Sequence, residues 1–307
     1  MLTSINQHAV IAKMVMAPAG VAALIYWISR EQTLPIASNP ALLLAGAALA
    51  LLSMVPFALR LREVLKIVDF DLSTVDSVRV LTQSMFYYFF VPLSVGTEVS
   101  KFAKLGNLQP QYPKTRLASG IVLDHIVGLT VLIAVSLSLY LGIEPVVLEL
   151  KSGVIILLAG CTALLAAGVV VYLLVKRKRG MQQLLALSVA RKRQLATASL
   201  YSLIMHLVIA AAVLCGAQHW HIEISYLQVL FVLTGAFLFQ MVPINVIGVS
   251  AIEIAGAGLY LAVGLTAAEA LGLVSLLYCY RILIALLGGL WEFVDGWRTQ
   301  QSKDTTA

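Results

Sequence analysis

The chain has 307 residues, 60% of them hydrophobic and 12% charged, with a formal net charge of +6 and a mean hydropathy of +0.93. This balance excludes a soluble fold with a polar surface. It also excludes nucleic acid as a partner, because the basic residues lie in short loops between hydrophobic segments, where they set topology and attract anionic lipid. Continuous apolar runs near the ~20 residues that cross a bilayer, without dyad alternation, indicate helices rather than an outer-membrane barrel.

The first two predicted spans are Ala9–Ser29 and Ala41–Leu59, joined by a turn with Pro35 and Pro40. Lys13 before an apolar run resembles a signal peptide, but no small-residue cleavage site follows, so a retained first helix is expected. Arg60, Arg62 and Lys66 mark a cytoplasmic face. From Arg62 to Val80, charges interleave with Val64, Leu65, Val68, Leu72 and Val75, which suits either an amphipathic helix in the interface or a solvated connector.

An apolar segment, Val80–Val95, runs into the motif FVPLSVGTEVSK at Phe90–Lys101, and a basic loop with Lys104, Lys114 and Arg116 follows. Basic loops on both sides of one crossing would violate the positive-inside rule. A hairpin that enters from the cytoplasm, turns near Pro92 and Gly96 and returns satisfies it. Leu117–Leu141 then crosses outward, Gly153–Val175 crosses back to the basic loop Lys176–Arg193, and Ala196–Ala217 crosses outward again. A second apolar stretch, Ser225–Gly264, is interrupted at Pro243, Asn245 and Gly248, and Ala268–Leu290 crosses inward to a tail with Arg298 and Lys303.

The expectation is an all-α polytopic membrane protein, one integral membrane domain over residues 1–307, with both termini cytoplasmic in a prokaryotic cytoplasmic (inner) membrane. A weak inverted repeat divides it into halves of about 1–150 and 151–300, each with a broken or re-entrant helical hairpin, the two inserted from opposite sides. Six full crossings and two hairpins fit the basic loops, although hydropathy alone could split the hairpins into extra spans.

A charge at mid-bilayer depth costs ~3 kcal/mol or more, so ionisable groups there face a cavity or a partner. Arg281 lies roughly nine residues, or ~13 Å, from the end of its span, too deep to snorkel comfortably. It either holds a lipid phosphate through its fork or forms a buried salt bridge. Asp124 shares a face with Arg116, Gly120 and Gly128, whose small residues allow another element close; it pairs with Arg281 or meets a cationic head group. His125 and His206 are either packing residues or proton carriers. Glu98 and Lys101 flank the first break and either pair with each other or face a head group. Glu253, with no base near it in sequence, takes a partner from elsewhere, Arg281 being one candidate. Asn245 lies at the second break, and Pro92, Gly96, Pro243 and Gly248 set the break geometry. Cys161, Cys215 and Cys279 sit in apolar runs and read as packing residues. There is no Walker A loop, HEXXH pair or paired-cysteine site, so neither cofactor nor metal is expected.

These residues resemble the motifs of the transmembrane family named for the lysylphosphatidylglycerol synthase/flippase membrane region, known from the multiple peptide resistance factor. Its Pro then Gly-Gly-(Asp/Glu)-X-X-Arg signature is matched by Pro92, Gly96, Thr97, Glu98 and Lys101. An acid-Arg pair before Gly-Leu is matched by Asp124, His125, Gly128 and Leu129. The second signature, Pro then Gly-Gly-Leu-Gly-X-Arg-Glu, is matched by Pro243, Gly248, Ser250 and Glu253, and a Leu-Leu-X-X-X-Arg before Gly-Gly by Leu276, Leu277, Arg281, Gly288 and Gly289. Thr97 stands in place of a Gly, and Lys101, His125 and Ile252 in place of Arg. The soluble aminoacyltransferase domain of the full-length synthase is not expected here.

The resemblance implies lipid translocation, the flippase-like movement of an amphiphilic phospholipid or glycolipid across the bilayer. The alternative is a membrane enzyme or enzyme subunit acting on a polyprenol-linked sugar or phospholipid, and a third is a scaffold for a separate lipid-synthesising enzyme. The expected ligand is an anionic or aminoacylated phospholipid or a polyprenol-linked glycolipid.

Overall fold

The computed structural model describes residues 39–90, 96–142, 190–241, 245–246 and 249–304. The chain begins there with α1 (Pro40–Leu52), whose proline occupies the first turn and whose cap, Asn39, accepts from the Ala41 amide at 3.1 Å. The helix pauses at Ser53 and resumes as α2 (Met54–Ile67). Pro56 explains the pause: it has no N–H to give to the preceding turn, and it is tolerated because it falls in the first turn of α2.

Asp69, at φ 62, ends this helix, and the Phe70 amide returns to the Leu65 carbonyl at 3.0 Å. The predicted amphipathic helix over 62–80 is therefore not one element. Its first part finishes α2, its last part starts α3 (Thr74–Phe90), and Val64, Leu65, Val68 and Leu72 are buried in the core rather than laid on an interface.

α3 packs against α4 (Gly96–Leu108), so the chain reverses between them. Pro92 lies outside the described residues. α5 (Lys114–Gly142) and α6 (Lys192–His219) follow as long helices, then α7 (Tyr226–Leu238) with a capping box of Ser225 and Gln228. A 3₁₀ turn at Phe239–Met241 leads to a two-residue antiparallel ladder, β1 (Asn245–Val246) with β2 (Val249–Ser250), in which Asn245 faces Ser250. Pro243 and Gly248 lie outside the described residues. α8 (Ala251–Ala262) packs back on α7, and α9 (Ala267–Asp304) closes the described fold.

Among the described residues, four helical stretches are long and apolar enough to cross a membrane: Pro40–Ile67, Lys114–Gly142, Lys192–His219 and Ala267–Trp297. They contain the crossings expected at 41–59, 117–141, 196–217 and 268–290; those expected at 9–29 and 153–175 lie outside the described residues. By contrast α7 and α8, at ~20 and ~18 Å, fall short of a ~30 Å hydrocarbon core. The protein is an all-α polytopic membrane protein, the short ladder being the one extended pairing among the described residues.

The basic ends of the helices gather at one end of the molecule. Asp69 takes both Arg116 and Arg191, Gln109 donates to the Asp71 carbonyl at 2.7 Å, and Tyr112 donates to the Val68 carbonyl. Partial burial raises the Tyr112 phenol above its usual pKa. Lys104 and Arg79 pair with Glu292 and Asp295 at the end of α9. At the far end, His219 Nδ1 lies 2.8 Å from the Asn39 carbonyl. The α3/α4 pair thus opens at the basic end, and the α7/α8 pair, connected to the end of α6 and the start of α9, opens at the other.

Two apolar cores reflect this division. One packs α2, α3 and the first half of α5 near the basic end; the other packs α7 and α8 against α1, α6 and the first part of α9. Each long helix contributes to both.

Candidate functional site

A cavity of about 210 Å³ lies between the two cores. Its lining residues fall near the midpoint of every long helix: Ser53 and Phe57 within Pro40–Ile67, Gly128 within α5, His206 within α6 and Arg281 within Ala267–Trp297. The first turns of both short helices also reach it, through Thr97 and Glu98 on α4 and Ile252 on α8. The cavity thus lies at mid-span, where both reversing pairs approach it from opposite ends.

On one side of the cavity, Arg60 of α2 makes a two-point contact with Asp124 of α5, Nε to Oδ1 at 2.8 Å and Nη2 to Oδ2 at 3.1 Å. The two side chains are 8% and 1% exposed, which makes geometry decisive, since burying each ion costs several kcal/mol that only close pairing offsets. Gly128 admits the guanidinium: a Cβ there would stand 2.6 Å from Arg60 Nη1. Gly120, about two turns away on the same face, does the same for Val68 and Leu65, so the small-residue stripe serves the close approach of α2. Phe57 lies under the Arg60 guanidinium at 4.6 Å, and Ser202 accepts from Nη1 at 3.4 Å.

Arg60 therefore belongs to the wall, not to the cytoplasmic face where the sequence pattern put it. It is 6% exposed because α2 continues for two turns beyond it. Asp124 correspondingly takes Arg60 rather than Arg281.

Lys101 of α4 is the second cation near Asp124, with Nζ 3.9 Å from Oδ2, and it holds Glu98 Oε1 at 2.8 Å. His125 Nδ1 stands 3.9 Å from the same Glu98 oxygen. Glu98 and Lys101, one turn apart on α4, do pair with each other, and the pair also joins the Arg60 and Asp124 cluster.

Across the cavity, Arg281 of α9 pairs with Glu253 of α8, both side chains 7% exposed. Glu253 has two tasks. Its Oε1 receives Arg281, while its Oε2 accepts from the Ser250 amide at 2.6 Å and the Ser250 hydroxyl at 2.7 Å, forming the capping box that starts α8. The Arg281 guanidinium also lies over the Tyr88 and Phe89 rings, at 4.9 and 5.8 Å. Both acids at the reversing pairs, Glu98 and Glu253, sit in the first turn of a helix, where a negative group is favoured.

Of the predicted residues, Arg281, Glu98, Lys101 and His125 line the cavity, with Asp124 and Glu253 as partners of wall residues. Gly96 is the first residue of α4. Asn245 is placed by its backbone alone, in β1. The residues that sequence reasoning passed over are Arg60 and Tyr88. The apolar positions after Arg60, at Leu61, Val64, Leu65 and Val68, were the available signal that the helix runs on.

Comparison with curated proteins and with solved structures gives no match. The sequence model of the family described as the lysylphosphatidylglycerol synthase TM region matches residues 10–289. That span takes in every helix that lines the cavity. The chain therefore belongs to the lysylphosphatidylglycerol synthase TM region family.

Proposed function

We propose that this membrane protein of the lysylphosphatidylglycerol synthase/flippase type is a lipid translocase. The observation that carries this reading is the cavity near the midpoint of the spanning helices, whose largely apolar wall carries Arg60, Glu98, Lys101 and Arg281. A head group crossing the bilayer needs a polar station at mid-depth, where an unsolvated charge costs most. The acyl chains stay in the bilayer while the head group occupies the cavity beside Arg281, Lys101 and Glu98.

In this reading α3/α4 and α7/α8 are re-entrant hairpins of an inverted repeat, and their relative movement exposes the cavity to one side and then the other. The basic end faces the cytoplasm of a prokaryotic cell, with both termini on that side, as the positive-inside rule requires. Movement is downhill or ion-coupled.

Reconstitution into liposomes with fluorescent phospholipids and glycolipids tests the reading. Wild-type protein is expected to move at least one of them between leaflets faster than protein-free liposomes, and Arg281→Ala to slow it. The double variant Arg281→Leu/Glu253→Gln, which leaves no unpaired buried charge and keeps an acceptor for the Ser250 amide and hydroxyl, separates loss of transport from loss of fold. A wild-type rate equal to that of protein-free liposomes for every lipid offered would sink the proposal.

A further inference from the structure

The charges of the site cancel among themselves. Arg60, Lys101 and Arg281 each face a carboxylate, supplied by Asp124, Glu98 and Glu253. A head group with a net charge of either sign would add an unbalanced charge to a site of low dielectric, or would have to break one of these pairs.

Two polar groups remain unanswered. Glu98 gives Oε1 to Lys101 and His125, and its Oε2 is buried without a hydrogen-bond partner among the described residues. His206, 3% exposed, forms part of the cavity wall from α6, and neither of its ring nitrogens has a hydrogen-bond partner among the described residues. A buried polar atom left unpaired is expensive, so each of these calls for a ligand or water. The carboxylate oxygen needs a donor. A neutral imidazole needs one donor and one acceptor. Hydroxyl groups answer both requirements without bringing charge.

The rest of the wall suits the same ligand. Phe57 and Phe237 give the wall aromatic surface beside which the C–H side of a cyclic polyol can pack, and Gln240, an exposed residue of the 3₁₀ turn, adds an amide. Thr97 and Ile252, each in the first turn of a helix that reaches the cavity, line it without charge, the threonine with a hydroxyl.

We infer that the cavity selects an uncharged, hydroxyl-rich lipid head group, of glycosyl or similar polyol type, with Glu98 and His206 hydrogen-bonding its hydroxyls. That the polyol is carried by a lipid rests on the translocase reading. The volume of about 210 Å³ is below the ~300–1,000 Å³ of sites that enclose a whole drug-sized ligand, so it accommodates a head group and leaves the chains outside.

The test is lipid retention by the purified full-length chain, read by native mass spectrometry. Glucosyl diacylglycerol, phosphatidylethanolamine and phosphatidylglycerol with identical acyl chains are offered in equal amounts. Wild-type protein is expected to retain the glucosyl lipid about tenfold over the other two. Glu98→Gln and His206→Leu are each expected to lose most of that preference, and His206→Gln, which keeps a donor and an acceptor, to retain part of it; thermal unfolding of each variant confirms that it folds. Equal or stronger retention of phosphatidylglycerol or phosphatidylethanolamine overturns the inference, as does a preference that both Glu98→Gln and His206→Leu leave intact. Displacement of the glucosyl lipid by an equal concentration of methyl glucoside would assign the site to a free sugar and overturn the lipid part. The same lipids in the liposome assay separate the two proposals: selective retention without movement rejects the translocase and leaves the head-group assignment standing.

Discussion

Arg60 and Asp124, 64 positions apart in sequence, meet as a two-point ion pair with both charged groups buried within the membrane-spanning helices. Removing one partner strands the other. Arg60→Ala or Asp124→Ala is expected to destabilise the protein by about 3–5 kcal/mol, whereas Arg60→Met/Asp124→Leu together should recover most of that loss. Thermal unfolding of the purified variants reads the difference; a double variant no better than either single one would show that the pair is not the cause.

Gly128 is where α5 makes room for the Arg60 guanidinium, while Gly142 at the end of the same helix has nothing within 4 Å of a built Cβ among the described residues. Gly128→Ala is expected to cost about 1–3 kcal/mol by pushing the guanidinium out of line, and Gly142→Ala to be neutral or slightly stabilising. Equal melting temperatures for the two variants would contradict the close approach.

Gly288 presents a harder constraint, because a Cβ there would overlap the backbone carbonyl of Thr82 on α3. Backbone cannot rotate aside as a side chain can. Gly288→Ala is expected to separate α9 from α3 and to weaken the nearby Arg79 and Asp295 pair. Thermal unfolding checks this: Gly288→Ala is expected to melt below Gly128→Ala, whose clash is with a side chain, and equal melting temperatures would contradict the backbone overlap.

Asp69 holds a positive φ of 62 where α2 ends and also takes Arg116 and Arg191. Its partially exposed pairs are worth about 0–1 kcal/mol, similar to what a glycine gains at such a backbone position. Asp69→Gly is therefore expected to change stability little, and Asp69→Val to lower it by ~1–3 kcal/mol through strain at this left-handed position. Denaturation midpoints measured side by side check the ordering.

The sequence made legible whatever depends on local hydropathy. The spans at 41–59, 117–141, 196–217 and 268–290 stand out as apolar runs, and the separation of α3 from α4 and of α7 from α8 as interruptions of such runs. Arg281 and Asp124 stand out because each is a charge within such a run. Which charge meets which was not legible, since Arg60 and Asp124 are brought together by Gly120 and Gly128, residues whose effect is visible only once α2 lies against α5. Arg60 itself sits one residue past an apolar run, and hydropathy reads that position as an end. The residues from 62 to 80 misled for a related reason: interleaved charges and aliphatics describe an amphipathic face, but the turn at Asp69 depends on one backbone angle that periodicity does not encode.

Glu253 divides its two oxygens between the start of α8 and the middle of α9. A displacement of Arg281 is therefore felt at once as a loosened helix cap, and fraying of the cap releases the arginine. The carboxylate acts as a mechanical linkage between the wall of the cavity and the start of the last short helix.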